Sequence, residues 1–320
     1  MTYYAGYDIG GTNARLKIFD DRLDALHTVR RRIRDATAPG DVADTMVDML
    51  EEGCEELDIE TDGVDAVGVG LAAQLSADRR TVRNAPNLGW RNIDFVELFE
   101  DTLADIVETA PSIRLVNDLN AQLWGEHVQG AVEGVGDVLA VYVGTGIGGA
   151  ILADGHLVTG ADGNAGEIGH SKVVVGGRPC GCGEDGCVEA YAGGIHLERQ
   201  VAELIADTGD PMLQQLETEE GIDLGAADEM IERHHDVGDI WEQATDFLSM
   251  VIANAVTLLN PRVLLIGGGV FENCDNFRSI TLQKAVPIVL EVSRENLEIE
   301  VAALGDVSGM IGAADLARRQ

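Results

Sequence analysis

The feature that most restricts this chain is one local pattern that occurs twice. Residues 5–20, AGYDIGGTNARLKIFD, read as a strand, a glycine turn and a second strand closed by an acid. Residues 140–155, AVYVGTGIGGAILADG, read the same way. Each hairpin is followed by a helical stripe and then a buried strand. In the first half Val42, Met46, Val47, Leu50 and Leu57 recur at helical spacing, with Asp41 as the expected N-cap, and VDAVGVGLA follows. In the second half Ala244, Phe247, Leu248, Val251, Ile252, Ala255 and Leu259 form the stripe, Asn260-Pro261 ends it, and RVLLIGGG follows. Two such halves predict an α/β protein of two domains with a cleft between them. At 320 residues the chain is long enough for both. The expected division is a smaller domain over 1–116 and a larger one over 117–304. A C-terminal helix at about 305–320, rich in small residues, is expected to cross back onto the first.

The turns suggest phosphate. In DIGGTNAR, Gly10 and Gly11 let backbone N–H groups approach an anion closely, and Thr12 and Asn13 add side-chain donors. Asp8 offers oxygen to Mg2+, directly or through water. Gly144, Thr145 and Gly146 form a second such turn. Gly268 and Gly269, after a strand, form a flat surface suited to a nucleotide base or ribose. No turn carries the lysine of a Walker loop, and none has the spacing of a dinucleotide fingerprint. Any one of them alone is equally well a tight hairpin; two matched turns opening two matched halves point to opposite walls of one phosphate site.

VND at 116–118 ends a short buried strand, where α/β proteins place their ligands. Asp118 is therefore a candidate general base. It competes with a second role, N-cap of the helix that follows, and Asn117 is then the spare group. In NAGEIGHSKV, Glu167 and His170 stand three apart, and Glu167 can accept hydrogen bonds from substrate hydroxyls. Cys180, Cys182 and Cys187 lie in RPCGCGEDGCVEA. With His170 they make the four N/S ligands that zinc takes in a closed tetrahedral site. The intervening glycines let the chain wrap one ion. Cys54 and Cys274 read as ordinary buried residues.

Charge narrows the classes. The 56 acids and 22 bases give a formal net charge of −34, which excludes a nucleic-acid binder working through a basic footprint and disfavours anionic membranes. Only three bases are lysine, and so acidic a surface predicts a halophilic source, where salt screens self-repulsion. The N-terminal residues lack a secretory pattern and no run of 18 apolar residues occurs, so a cytoplasmic protein is expected. In that compartment clustered cysteines favour metal or redox work over a disulfide.

Together these residues resemble the ROK sugar kinases (repressors, open reading frames and kinases), within the group that shares the actin–hexokinase ATPase fold. The resemblance runs nearly end to end: DIGGTNAR, NAPNLGW at 84–90, VND, GTGIGGA at 144–150, GEIGH at 166–170, CGCGEDGCVE at 180–189 and IGGG at 266–269. It implies a two-domain, ribonuclease H-like α/β fold that clamps ATP with Mg2+ and passes the γ-phosphoryl group to a sugar hydroxyl. It also implies that Asp118 takes the hydroxyl proton. Asn117, Glu167, His170 and Glu189 would contact the sugar, with Asn87 a further contact, and a structural Zn2+ would shape the pocket. Glucose is the expected sugar, with fructose, mannose and N-acetylmannosamine as rivals. A non-catalytic sugar sensor or regulator is the alternative class. A homo-oligomer, dimer or tetramer, is expected, with no nucleic-acid or membrane partner. The chain departs from the family at GLAAQLSADRRTV, residues 70–82, where a Pro-Gly turn usually borders the sugar.

Overall fold

The computed structural model describes residues 2–33 and 37–319. They form two compact units. One comprises Met1–Gly134, Leu157–Ala165 and Ala302–Gln320, the other Val135–His156 and Gly166–Val301. The first unit thus runs past the boundary expected at 116 and also takes in residues 157–165.

In the first unit the elements are β1 (Tyr3–Ile9), β2 (Asn13–Phe19), β3 (Ala25–Arg32), α1 (Pro39–Leu57), β4 (Val64–Leu71), β5 (Gln74–Leu75), β6 (Thr81–Ala85), β7 (Trp90–Asp94), α2 (Phe95–Leu103), β8 (Ser112–Asn117) and α3 (Asp118–Gln129). The main sheet has the order β3-β2-β1-β4-β8. The hairpin strands are antiparallel, and β1, β4 and β8 run parallel. β4 is apolar along almost its whole length because both of its faces are covered. Helix α1 begins at Pro39, whose fixed φ suits a first turn. Its N-cap is Ala38; Asp41, expected to cap, lies inside the first turn instead. Val42, Met46, Val47 and Leu50 are buried as the stripe requires.

The second unit repeats the plan. Its elements are β9 (Val138–Val143), β10 (Ile147–Ala153), β11 (His156–Leu157), α4 (Glu189–Ala192), α5 (Gly194–Thr208), β12 (Glu217–Thr218), β13 (Gly221–Ile222), α6 (Leu224–Met230), α7 (His235–Leu259), β14 (Val263–Gly267), α8 (Gly269–Asn273), α9 (Asp275–Ile288), α10 (Glu291–Arg294) and β15 (Glu298–Val301). The sheet order is β11-β10-β9-β14-β15, again an antiparallel hairpin followed by parallel neighbours. β9 and β14 are buried throughout, and α7 supplies the long apolar stripe read from the sequence. Buried Asp228 accepts from the Trp241 indole N–H and from the amides of Asn276 and Phe277, which ties α6, α7 and α9 together.

The last helix, α11 (Ser308–Arg318), packs on β1, β4 and α3 of the first unit. Glycines make this approach possible. Gly6 and Gly68 are register partners on adjacent strands, and a Cβ on either would run into the backbone of Met310 or Ala313. Buried Glu126 of α3 accepts from the amides of Ala303 and Leu304, fixing the entry into the helix.

Candidate active site

In the first unit the expected residues gather at the carboxyl ends of the parallel strands. Ile9, Leu71 and Asn117 stand opposite one another across β1, β4 and β8, a span of about 10 Å. The turn between β1 and β2 closes with a Gly10 N–H to Asn13 O bond of 3.0 Å, leaving Thr12 and Asn13 exposed. Asn87 sits against it: a Cβ on Gly11 would lie 3.0 Å from the Asn87 carbonyl oxygen.

Asp8 is held by a group the sequence reading missed. Arg15, its register partner, lies 3.5 Å from Asp8 and 3.1 Å from Asp306. Asp306 comes from the far end of the chain, so no local pattern announces the trio. Burial raises the Asp8 pKa, the Arg15 charge opposes this, and Asp306 adds to it. A carboxyl raised in the folded state costs stability once pH climbs through that folded value, and costs nothing below the unfolded one. Asp8→Asn is therefore expected to raise the melting temperature at pH 7, with the gain vanishing toward about pH 3, while removing the oxygen charge that suits a divalent cation. A melting series against pH checks the sign.

The competition over VND resolves cleanly. Asn117 is the N-cap of α3, its Oδ1 accepting from the Asn120 amide at 3.1 Å. Asp118 is the first helical residue and is spared that duty. The Asn117 amide also reaches the Ala73 carbonyl at 3.5 Å. The unusual turn at 71–77 thus supports Asn117 through its backbone, with Ala73 and Leu75 buried beneath.

In the second unit the turn after β9 is pinned by α5. The Gly194 and Ile195 amides donate to the Gly144 and Thr145 carbonyls at 2.8 and 3.0 Å. Gly268 has φ 93°, and a Cβ there would lie 2.6 Å from the Val143 carbonyl oxygen, so only glycine fits. A Cβ built on Gly144 would lie 3.8 Å from the Gly269 amide nitrogen. The second and third glycine surfaces are therefore neighbours.

The cysteine cluster is also assembled. Glu167 leads into a single 3-10 turn, Ile168–His170, which sets its Oε2 3.7 Å from His170 Nε2. The other ring nitrogen, Nδ1, is 3.6 Å from Cys180 Sγ, and Cys182 and Cys187 sulfurs are 3.7 Å apart. Tetrahedral zinc with ordinary bond lengths separates two sulfurs by about 3.8 Å and sulfur from nitrogen by about 3.6 Å. The four ligand atoms, all within 4.8 Å of one another, fit that ion. Burial pushes the Cys180 thiol up to about 12, so a cation is needed to ionise it at neutral pH. Lys172, one of three lysines in the chain, donates to Cys187 Sγ at 3.2 Å. Its charge would offset that of a thiolate there, and the sequence reading gave it no role.

Glu189 joins the cluster to the turn. Its Oε2 accepts from the Ile147 amide at 2.9 Å, and its Oε1 accepts from Cys180 Sγ at 3.4 Å. Gly146 has no room for a Cβ because Glu189 occupies that space.

A sequence model of the ROK family matches residues 4–320. A glucokinase of Streptomyces coelicolor is 30% identical over 322 residues, covering 98% of this chain and 96% of that protein. The crystal structure of a ROK family glucokinase from Streptomyces griseus, in complex with glucose and AMPPNP, is 29% identical with a TM-score of 0.79, over 99% of this chain and 100% of that one. The ROK hexokinase of Thermus thermophilus is 26% identical with a TM-score of 0.80, over 98% and 97% of the two chains.

Proposed function

The chain belongs to the ROK family, and from that premise we propose that it is an ATP-dependent hexose kinase converting glucose to glucose 6-phosphate. The observation that carries this reading is the placement of Glu189, one carboxylate fixed by both a glycine turn and the cysteine cluster. A polyol offers many hydroxyl donors, and held carboxylates are what orient them. Glu167 and Glu189 accept from the sugar, and His170, Asn117 and Asn87 complete its contacts. His170, Cys180, Cys182 and Cys187 hold a structural Zn2+ that fixes both acids and enters no step. With Cys180 a thiolate, Glu189 Oε1 loses its S–H donor and is left for a hydroxyl.

Asp118 accepts the proton of the attacking hydroxyl, which makes a neutral oxygen a better nucleophile. Gly10, Gly11, Gly144 and Gly146 present backbone donors to the phosphates, with Thr12, Asn13 and Thr145 adding side chains. Gly268 and Gly269 lie under the base or ribose. Asp8 holds Mg2+, which when bound neutralises charge developing on the phosphoryl oxygens. Arg15 supplies a cation beside the first turn, in place of the absent Walker lysine.

No helix among the described residues is long and apolar enough to cross a membrane. The reading includes a homo-oligomer and a surface adapted to high salt. It is tested by ADP release with ATP, Mg2+ and a panel of hexoses and N-acetylhexosamines, at low and high potassium chloride. Glucose is expected to give the highest kcat/KM, and activity to rise with salt as screening relieves the charge of −34. An N-acetylated sugar preferred over glucose would overturn the substrate, and no turnover with any sugar would overturn the activity.

A further inference from the structure

Acids outnumber bases 56 to 22, so a half-buried arginine in this chain has carboxylates to choose from. Arg79 and Arg114 are both half-buried, and among the described residues neither forms an ion pair. Burial lowers both pKa values, and the Arg79 charge lowers that of Arg114 further. Each cation has lost part of its water without gaining a countercharge, which is costly. Arg80, the next residue, does pair, with Glu100. Asp78 is turned away, accepting from the Ser76 hydroxyl and the Arg80 amide.

The backbone sets the two side by side. The turn from Ser76 closes with an Arg79 N–H to Ser76 carbonyl bond of 3.0 Å, and the Leu115 amide donates to the Arg79 carbonyl at 3.2 Å, one residue from Arg114. Arg79 has φ 59°. Among the described residues four of the six non-glycine residues with positive φ are Asp or Asn, whose short side chains bond locally. Leu23, the other exception, is buried in a core cluster. Arg79 makes no such local bond; its guanidinium runs to Gly163, where a Cβ would lie 3.3 Å from Nη1. Arg114 is the register partner of Gly68 and donates through Nη1 to the Leu316 carbonyl of α11 at 3.0 Å. That bond suits the negative end of a helix and uses one of five N–H donors. Asp315, one residue earlier, is already taken by Arg318, Arg319 and the Trp124 indole.

We propose that Arg79 and Arg114 together hold a small inorganic anion, chloride or phosphate, which supplies the negative charge that no side chain provides. Guanidinium groups are weakly hydrated and present several N–H donors in one plane, which suits them to an anion at a partly dry site. The helix-end role of Arg114 accounts for one arginine, but not for a second cation set beside it in a strained turn. The anion joins three pieces of the first unit that are remote in sequence: the turn at 76–79, β8 and the segment at 157–165. The inference does not depend on the kinase reading, since neither arginine belongs to the proposed sugar or nucleotide contacts.

The test is the melting temperature of the full-length protein by calorimetry at constant pH and ionic strength. Potassium gluconate, whose anion is too bulky for the site, is replaced stepwise by chloride in one series and by phosphate in another. Tm of the parent is expected to rise by about 2–4 °C as the site fills. Arg79→Gln should show no such rise. In gluconate alone it should melt at or above the parent, because a partly desolvated cation without a countercharge has been removed. Arg79→Lys should keep part of the rise. Arg114→Gln is the second variant: it should melt lower throughout, through the lost bond to Leu316, and should also lose the rise. The ion that gives half of the rise at the lower concentration is the occupant. A parent whose Tm rises with neither ion overturns the site. An equal rise in the parent and in Arg79→Gln assigns the effect to the phosphate turns or to screening, and overturns it as well.

Discussion

Asp118→Asn is expected to fold like the parent, to bind glucose, and to lose about 10²–10⁴-fold in kcat. The substitution preserves shape and removes only the ability to take a proton. Helix α3 keeps its N-cap, because that bond comes from Asn117 to the Asn120 amide. What α3 loses is a favourable charge at its first position, about 0.3–1 kcal/mol. The proposed sugar contacts Glu167, His170 and Glu189 rest on the cysteine cluster and on the Ile147 amide, which the change does not touch. The effect should therefore fall on kcat, with KM for glucose within a few fold, as for an interaction made only in the transition state. A coupled ADP assay gives the split, and calorimetric titration of glucose confirms binding. Asn117→Ala is the contrasting control: it should cost about 1 kcal/mol of stability through the lost cap. An Asp118→Asn protein that still turns over within tenfold of the parent would remove Asp118 from the chemistry.

The fold was legible where local rules decide it. Glycine and threonine between alternating apolar runs made both hairpins readable, and strict spacing of Val42, Met46, Val47 and Leu50 made α1 readable. Its start was misplaced because Asp41 is a good cap by type, whereas Pro39 fixes the first turn two residues earlier. The extent of the first unit was not legible. α3 belongs there because α11 lies on it, and that approach depends on missing side chains at Gly125 and Gly312, a relation between distant segments. In the candidate site the gathering of His170 with Cys180, Cys182 and Cys187 could be read from spacing, since three cysteines and a histidine within eighteen residues leave few geometries. The Arg15–Asp8–Asp306 trio could not, because strand register sets Arg15 opposite Asp8 and Asp306 arrives from the far end of the chain. Nor could the sequence decide between Asn117 and Asp118 as cap. Both suit the position, and a one-residue difference in where the helix begins decides which of them caps.

Cys187→Ser should remove zinc and, with it, the sugar site. The loop from Gly176 to Gly186 has little core of its own: Cys180, Cys187, Ala190 and Tyr191 form a small buried cluster with Val173, Val174 and Phe247 beside it. Gly176, Gly183 and Gly186 all have positive φ, which makes the unfolded loop freer and the folded one costlier to order. A structural zinc ion would supply that stabilisation, with apparent binding free energies of about 10–16 kcal/mol in small zinc domains. Serine offers no thiolate at this fully buried position. Lys172 would then face an uncharged hydroxyl and lose the group its ammonium serves. The parent is expected to carry one zinc per chain and the variant well under half. KM for glucose should rise about 100-fold or more, because the positions of Glu167, His170 and Glu189 all depend on the ion. Metal analysis after gel filtration reads the first effect and steady-state kinetics the second. Cys54→Ser and Cys274→Ser provide the comparison, since both residues are buried away from the cluster and should leave zinc content unchanged. Full zinc in Cys187→Ser would dismiss the four-ligand site. Lost zinc with an unchanged KM would separate the metal from the sugar, leaving Glu189 positioned by the Ile147 amide alone.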